Sequence, residues 1–186
     1  MTRSAALPAS LALVLLGSGC GYNTIQTMDE RVNQAKGQIE TQLQRRADLV
    51  PNLVETVRGV AKQESTVFIS IAESRARLSG AVQSGDVGRM AEANQELTQG
   101  IGRLLAIVEN YPELRSSESF RALQDQLEGT ENRISVARQD YNTAVGEYNA
   151  YIRRFPYNLT AKVFGQGSRE YFEAAPGAEA APKVQF

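Results

Sequence analysis

Residues 120–152 read FRALQDQLEGTENRISVARQDYNTAVGEYNAYI, and the spacing of their apolar positions decides the fold. Phe120, Leu123, Leu127, Thr130, Ile134, Ala137, Tyr141, Ala144 or Val145, Tyr148 and Ile152 recur at steps of three and four. Such steps lay one stripe along one face of an α-helix. They predict a helix over 118–154, capped by Ser116 or Ser117, with Glu118 in its positive first turn.

Working upstream, Ser84-Gly85-Asp86 supplies turn and cap chemistry for a helix over 86–109, with the stripe Met90, Leu97, Ile101, Leu104 and Val108, ended by Pro112. Before it, apolar residues at 25, 28, 32, 35, 39 and 43 form a coiled-coil-like seam, continued by Leu49, Leu53, Val57, Val60, Val67 and Ile71 to Ser79-Gly80. A straight helix over 25–79 would be about 80 Å long. Pro51 removes a backbone donor, so this helix either kinks there or restarts with Asp48 as its cap. A short helix around 158–164 follows Phe155-Pro156. No segment alternates with period two, so no sheet is expected. The fold class is all-α: an up-and-down antiparallel helical bundle of three long helices, the first kinked or broken near Pro51, plus a short C-terminal helix.

The lengths of these helices raise a packing question. With a straight first helix, the second returns along less than half of it and the third runs outward again. The stripe Ile25, Met28, Val32, Ile39 and Leu43 would then lack a partner within the chain. So much contiguous apolar surface is unusual in a monomer. Self-association or binding of an envelope protein through 25–47 is the expectation, with a fourth helix folded back at Pro51 as the alternative.

The composition removes several chemistries. Among 186 residues there is no His, no Trp and one Cys, which excludes His-dependent triads, His-ligated metals and internal disulfides. Twenty basic and 21 acidic residues give a net charge of −1, so no global field favours nucleic acid. Arg45-Arg46 and Arg153-Arg154 are the densest basic spots and have no aromatic ladder beside them. They read as helix surface charges, or as contacts to lipid headgroups. Glu128 and Glu131 share a helix face, but carboxylate di-metal bundles pair Glu with His, so a solvated face matched to Arg133 or another helix is expected, with no metal. Gly165-Gln166-Gly167 lacks the third glycine and the strand of a phosphate loop, and no lysine stands in a Ser-x-x-Lys pattern. No cofactor is implied. Tyr141-Asn142 and Tyr148-Asn149 repeat after seven residues. They read as a seam with buried rings and register-fixing asparagines, or as a polar aromatic strip that a partner reads.

The first residues carry an address. Arg3, the apolar run Ala5–Leu16 and Gly17-Ser18-Gly19 make a secretory signal over 1–19. Twelve helical residues rise about 18 Å, too little for a hydrocarbon core of about 30 Å. Cys20 directly follows these small residues, as in the bacterial lipobox, although Gly17 stands where a Leu is usual. Lipidation of Cys20 is therefore expected, with 20–24 as the lipidated anchor and linker, 25–172 as the bundle and 173–186 as a disordered Ala/Pro/Gly-rich tail. Gly21 is not the Asp that retains lipoproteins at the inner membrane. An outer-membrane position facing the periplasm is expected where the source has two membranes.

Tyr22-Asn23, Arg45 to Val54 (RRADLVPNLV), Glu64 with Ala72 to Arg75, Glu109 to Leu114 (ENYPEL), Phe120 to Leu127 and Glu128 to Ile134 (EGTENRI) together resemble the LemA family. Arg138, Tyr141-Asn142, Tyr148-Asn149 and Phe155-Pro156 complete the resemblance, which spans Tyr22 to Phe172. It implies a small bacterial membrane protein with a helical bundle outside the cytoplasm. Most such proteins are anchored by an N-terminal transmembrane helix, from which the lipobox departs. The resemblance brings no catalytic residue or cofactor. Family members are often encoded beside membrane proteases or small TPM-domain proteins, an association with envelope quality control. The resulting expectation is a membrane-tethered, non-enzymatic scaffold or adaptor. A carboxylate- and tyrosine-based enzyme or metal-dependent factor, or a bundle binding lipid or a small ligand, stays open beside it.

Overall fold

The structure is a computed structural model that describes residues 6–173, with residues 6–20 described by their helical backbone alone. The start of the expected signal (1–5) and the expected tail from 174 onward lie outside the described residues. The described residues form six helices: α1 (Ala6–Arg58), α2 (Ser65–Ser84), α3 (Val87–Val108), α4 (Pro112–Ser116), α5 (Glu118–Ile152) and α6 (Tyr157–Val163). There is no strand among the described residues.

Local signals set three of the ends. The Ser117 hydroxyl accepts from the Phe120 N–H at 3.3 Å to start α5, and Asp86 accepts from the Arg89 N–H at 3.0 Å to start α3. Gly85 closes α2 in the left-handed region at φ 66°, where a β-carbon would also lie 2.8 Å from Lys36 Nζ.

Of the two alternatives at Pro51, the restart with Asp48 as cap does not occur. Pro51 lies inside α1, which runs on to Arg58. The carbonyl its missing N–H would have served is that of Ala47, four residues earlier. Arg75 of α2 fills the gap, its Nε donating to the Ala47 oxygen at 2.8 Å. The break comes instead at 59–64, past Gly59, and Arg58 lies over the Phe68 ring across it at 5.4 Å. α2 then passes through Gly80 without interruption. The result is four long helices (α1, α2, α3, α5) in place of three.

This substitution of a guanidinium for a backbone donor makes a testable pair. Arg75→Met should destabilise the chain by about 1–2 kcal/mol, as expected for a lost charged hydrogen bond. In a Pro51→Ala background the restored backbone N–H takes the Ala47 carbonyl, so the same change should cost under about 0.5 kcal/mol. Denaturant melts of the four proteins give the cycle. Equal losses in both backgrounds would show that Arg75 does not stand in for the absent donor.

Residue pairs give the directions. Ala47 meets Arg75 and Lys36 meets Gly85, so α2 runs against α1. Arg77 pairs with Glu96, and Ile71 lies on Gly100, so α3 runs against α2. Arg46 meets Glu131, while Gly21 meets Tyr157 beyond the end of α5, so α5 runs against α1. α1 and α5 form the main helix pair.

The stripe left unpartnered in the sequence reading is covered. Ile25, Val32, Ile39 and Leu43 are 0, 2, 1 and 0% exposed, and Met28 is half-buried against the same core. The expectation let each helix cover only its predecessor. Here the short α2–α3 hairpin packs on the upper part of α1, and the 35-residue α5 returns beside α1. The premise for self-association through 25–47 therefore does not hold.

Candidate functional site

Two polar clusters stand out from this apolar core. The first is centred on Arg46, which continues the α1 stripe from Ile39 and Leu43 at the same spacing and is only 4% exposed. Its Nη1 donates to Asn94 Oδ1 of α3 at 2.9 Å and pairs with the Glu131 carboxylate of α5. Burial pushes the guanidinium below its ordinary value, and the Glu131 charge and hydrogen bond oppose that push. Arg46 Nε and Gln42 Oε1, one turn apart, are both buried without a protein partner.

This corrects the reading of Arg46 as a surface charge. The missed signal was positional, because 39, 43, 46 and 50 continue the buried spacing. It also places both carboxylates of the E-x-x-E pair. Glu131 holds Arg46, and Glu128 accepts from Gln124 Nε2 at 3.0 Å. Among the described residues, no three acidic or Cys side chains gather as a metal site would need.

The second cluster explains the seven-residue Tyr-Asn repeat. After α6 the chain turns at Gly165 and runs extended back along α5 as a strap. Asn142 Nδ2 donates to the Phe172 carbonyl at 3.1 Å, and the Phe172 N–H returns to Asn142 Oδ1 at 2.8 Å. Asn149 does the same with Arg169, at 2.9 and 2.8 Å. Each side-chain amide thus stands in for the backbone of a neighbouring strand. The spacings match: seven helical residues rise about 10.5 Å and three extended ones about 10 Å.

Both tyrosines reinforce the strap. The Tyr141 hydroxyl donates to the Glu170 carbonyl at 2.9 Å, and that of Tyr148 to Gln166 Oε1 at 3.1 Å. Arg169 adds Nε and Nη2 bonds to Asp29 Oδ1 of α1, at 2.9 and 2.6 Å. Phe172 is buried and joins the core. The rings are buried, as a seam requires, but what the polar edges read is the chain's own segment 166–172.

Burial pushes both tyrosine hydroxyls above their ordinary range. The Asp29 charge adds to the push at Tyr148, and Arg169 opposes it at both. The folded state therefore holds these protons more tightly than the unfolded one. The stability they contribute is complete below pH about 10 and is lost as pH rises through the raised folded values. Alkaline titration should thus free the strap to proteolysis before the bundle melts, and Tyr141→Phe/Tyr148→Phe should remove that pH dependence. Tyrosine absorbance titrating as a single free population would contradict it.

Above the strap, α1 and α5 leave an open groove of roughly 470 Å³, lined by Gln34, Gln38, Thr41, Gln42, Asn132 and Val136 among others. Four amides share its wall with Arg133 and Asp140, and Val136 is exposed beside them.

Residues 35–186, which carry both clusters except Asp29, match the LemA family profile. The chain belongs to the LemA family. It is also similar to magnetosome proteins MamQ 2 and MamQ 1 of Paramagnetospirillum magneticum, at 30% identity over 183 residues, covering 85% of this chain and 66% of each of theirs. Magnetosome protein MamQ of Magnetospirillum gryphiswaldense is 27% identical over the same coverage. This LemA chain thus spans just under two thirds of the length of those relatives. Arg46, Arg75, Glu131 and the Tyr-Asn ladder all fall within the matched residues.

Proposed function

We propose that this LemA chain is a membrane-tethered, non-enzymatic helical scaffold of the bacterial envelope that presents its α1–α5 groove to a protein partner. One observation carries the reading. The side chains with most chemical potential (Arg46, Arg75, Glu131, Tyr141 and Tyr148) are each engaged in holding the chain's own helices and strap. Their geometry fastens; it does not gather reactive groups around an open cavity.

Among the described residues, no helix is long and apolar enough to cross a membrane. The tether we infer is the acylated Cys20, at the base of the bundle one residue before Gly21. With Gly21 in place of a retention Asp, the position is the outer membrane facing the periplasm where two membranes exist. Envelope quality control is the process this arrangement suits.

Cys20→Ala tests the tether. The mutant should lose palmitate incorporation and leave the membrane fraction, whereas a processed mutant that stays membrane-bound would refute acylation. A photo-crosslinking residue at Val136 tests the scaffold, with a defined protein adduct expected in cells. Metal that survives dialysis of the purified chain and is lost in Glu128→Gln would favour the metal-dependent alternative.

A further inference from the structure

Phe155, Leu159, Val163 and Phe164 are 79, 55, 78 and 52% exposed, four of the eight large apolar side chains exposed among the described residues. They fall within ten residues, on α6 and its flanks. Arg153, Arg154 and Lys162 are exposed in the same stretch, and residues 148–168 contain no Asp or Glu. A run of exposed apolar side chains whose only charged neighbours in sequence are cations differs from the rest of this nearly neutral chain.

Its place in the fold is fixed by aromatic contacts. The Tyr157 ring lies so close to α1 that a β-carbon on Gly21 would sit 2.7 Å from its Cδ1. Tyr22 and Phe164 rings are 4.4 Å apart, and Tyr151 stacks on Tyr157 at 4.3 Å. α6 is thereby held at the end of the bundle from which α1 runs toward residue 6. Cys20 is the neighbour of Gly21, and the apolar run ending at Leu16 is only five residues away, about 8 Å along a helix. With either as the anchor, the bilayer begins within about 10 Å of α6.

We propose that α6 and its flanks, Arg153 to Phe164, form a foot that rests on the bilayer surface. Phe155, Leu159, Val163 and Phe164 enter the boundary between headgroups and acyl chains, and Arg153, Arg154 and Lys162 meet anionic headgroups. Interfacial segments bury an apolar face about 5–10 Å deep in this way, and aromatic residues concentrate at that depth. Basic side chains gain from the negative surface potential of anionic lipid. The foot deepens the tethered-scaffold reading and rests on it. A single anchor leaves a rod free to tilt, and a second contact beside it would hold the α1–α5 groove at a set height above the membrane.

The chain has no tryptophan, so a single introduced one reports on its own position. Leu159→Trp and Val163→Trp, with Ile69→Trp on α2 as the distant exposed control, are placed in the full chain. Each is reconstituted in phosphatidylethanolamine/phosphatidylglycerol vesicles carrying acyl-brominated lipid, after far-UV dichroism shows native helicity. Flotation comes first: a chain that does not float with the vesicles defeats the tether, and the foot with it. For chains that float, quenching at positions 159 and 163 should be several-fold stronger than at 69. Reversing Arg153, Arg154 and Lys162 to Glu should weaken it. Quenching no stronger than at Ile69→Trp overturns the foot while leaving the tether intact. Blue-shifted but unquenched emission, with crosslinks between chains through 159 or 163, overturns it in favour of a second copy as the occupant. Quenching unchanged by charge reversal overturns the headgroup contacts.

Discussion

Leu43→Asp is expected to abolish cooperative folding of the chain, and Ile39→Asp to do nearly the same. Both side chains lie at the centre of the core, 0 and 1% exposed. The buried cation of this layer, Arg46, is already paired with Glu131, so a new carboxylate would be left uncompensated or would compete with Glu131 for Arg46. Burying an uncompensated charge costs several kcal/mol. Added to the lost packing of a large aliphatic side chain, about 2–5 kcal/mol, this matches the whole stability of a typical domain of about 5–15 kcal/mol. Thermal melts followed by far-UV dichroism should lose their transition. Folded monomers with a native melting temperature, released from a larger assembly, would instead place the stripe at an interface between copies.

The second large effect is asymmetric. Glu131→Ala should destabilise the chain by about 3 kcal/mol, because it leaves the Arg46 charge buried with only Asn94 for company. The value sits at the low end for a broken buried pair, since the Glu131 side chain is 47% exposed and water can approach from its side. Arg46→Met should cost less, about 1–2 kcal/mol, since the half-exposed carboxylate can re-enter solvent and the new side chain is apolar. The double variant Arg46→Met/Glu131→Leu should recover most of the loss. Urea melts decide the order. A greater loss for Arg46→Met than for Glu131→Ala would mean that packing of the arginine stem, not charge compensation, holds this layer.

What the sequence disclosed and what it hid divide along chain separation. α5 begins at Glu118 behind Ser117, and α3 at Val87 behind Asp86, because a 3.6-residue period and a capping oxygen are properties of a few adjacent residues. The helix does not break at Pro51, and the sequence hides why, because Arg75 donates to a carbonyl 28 residues away. Arg46 looked like a surface charge because Glu131, the partner that makes its burial tolerable, lies 85 residues downstream. The Tyr-Asn repeat was visible as a repeat. Its object was not, since Arg169 and Phe172 carry no periodic signal and pair through backbone atoms that every residue has. A stripe marks which face is buried but not which helix covers it, and this is why α5 beside α1 was missed.

The polar groups of this chain serve its own architecture, with the Tyr-Asn ladder as the plainest case. Native-state amide hydrogen exchange of the full chain tests this most directly, read at Arg169 and Phe172. Both amides should exchange orders of magnitude more slowly than an open extended segment allows. In Asn142→Ala/Asn149→Ala both should become fast together, while Val145 and Leu43 stay protected. Arg169 and Phe172 amides exchanging at unprotected rates in the unaltered chain would contradict the account.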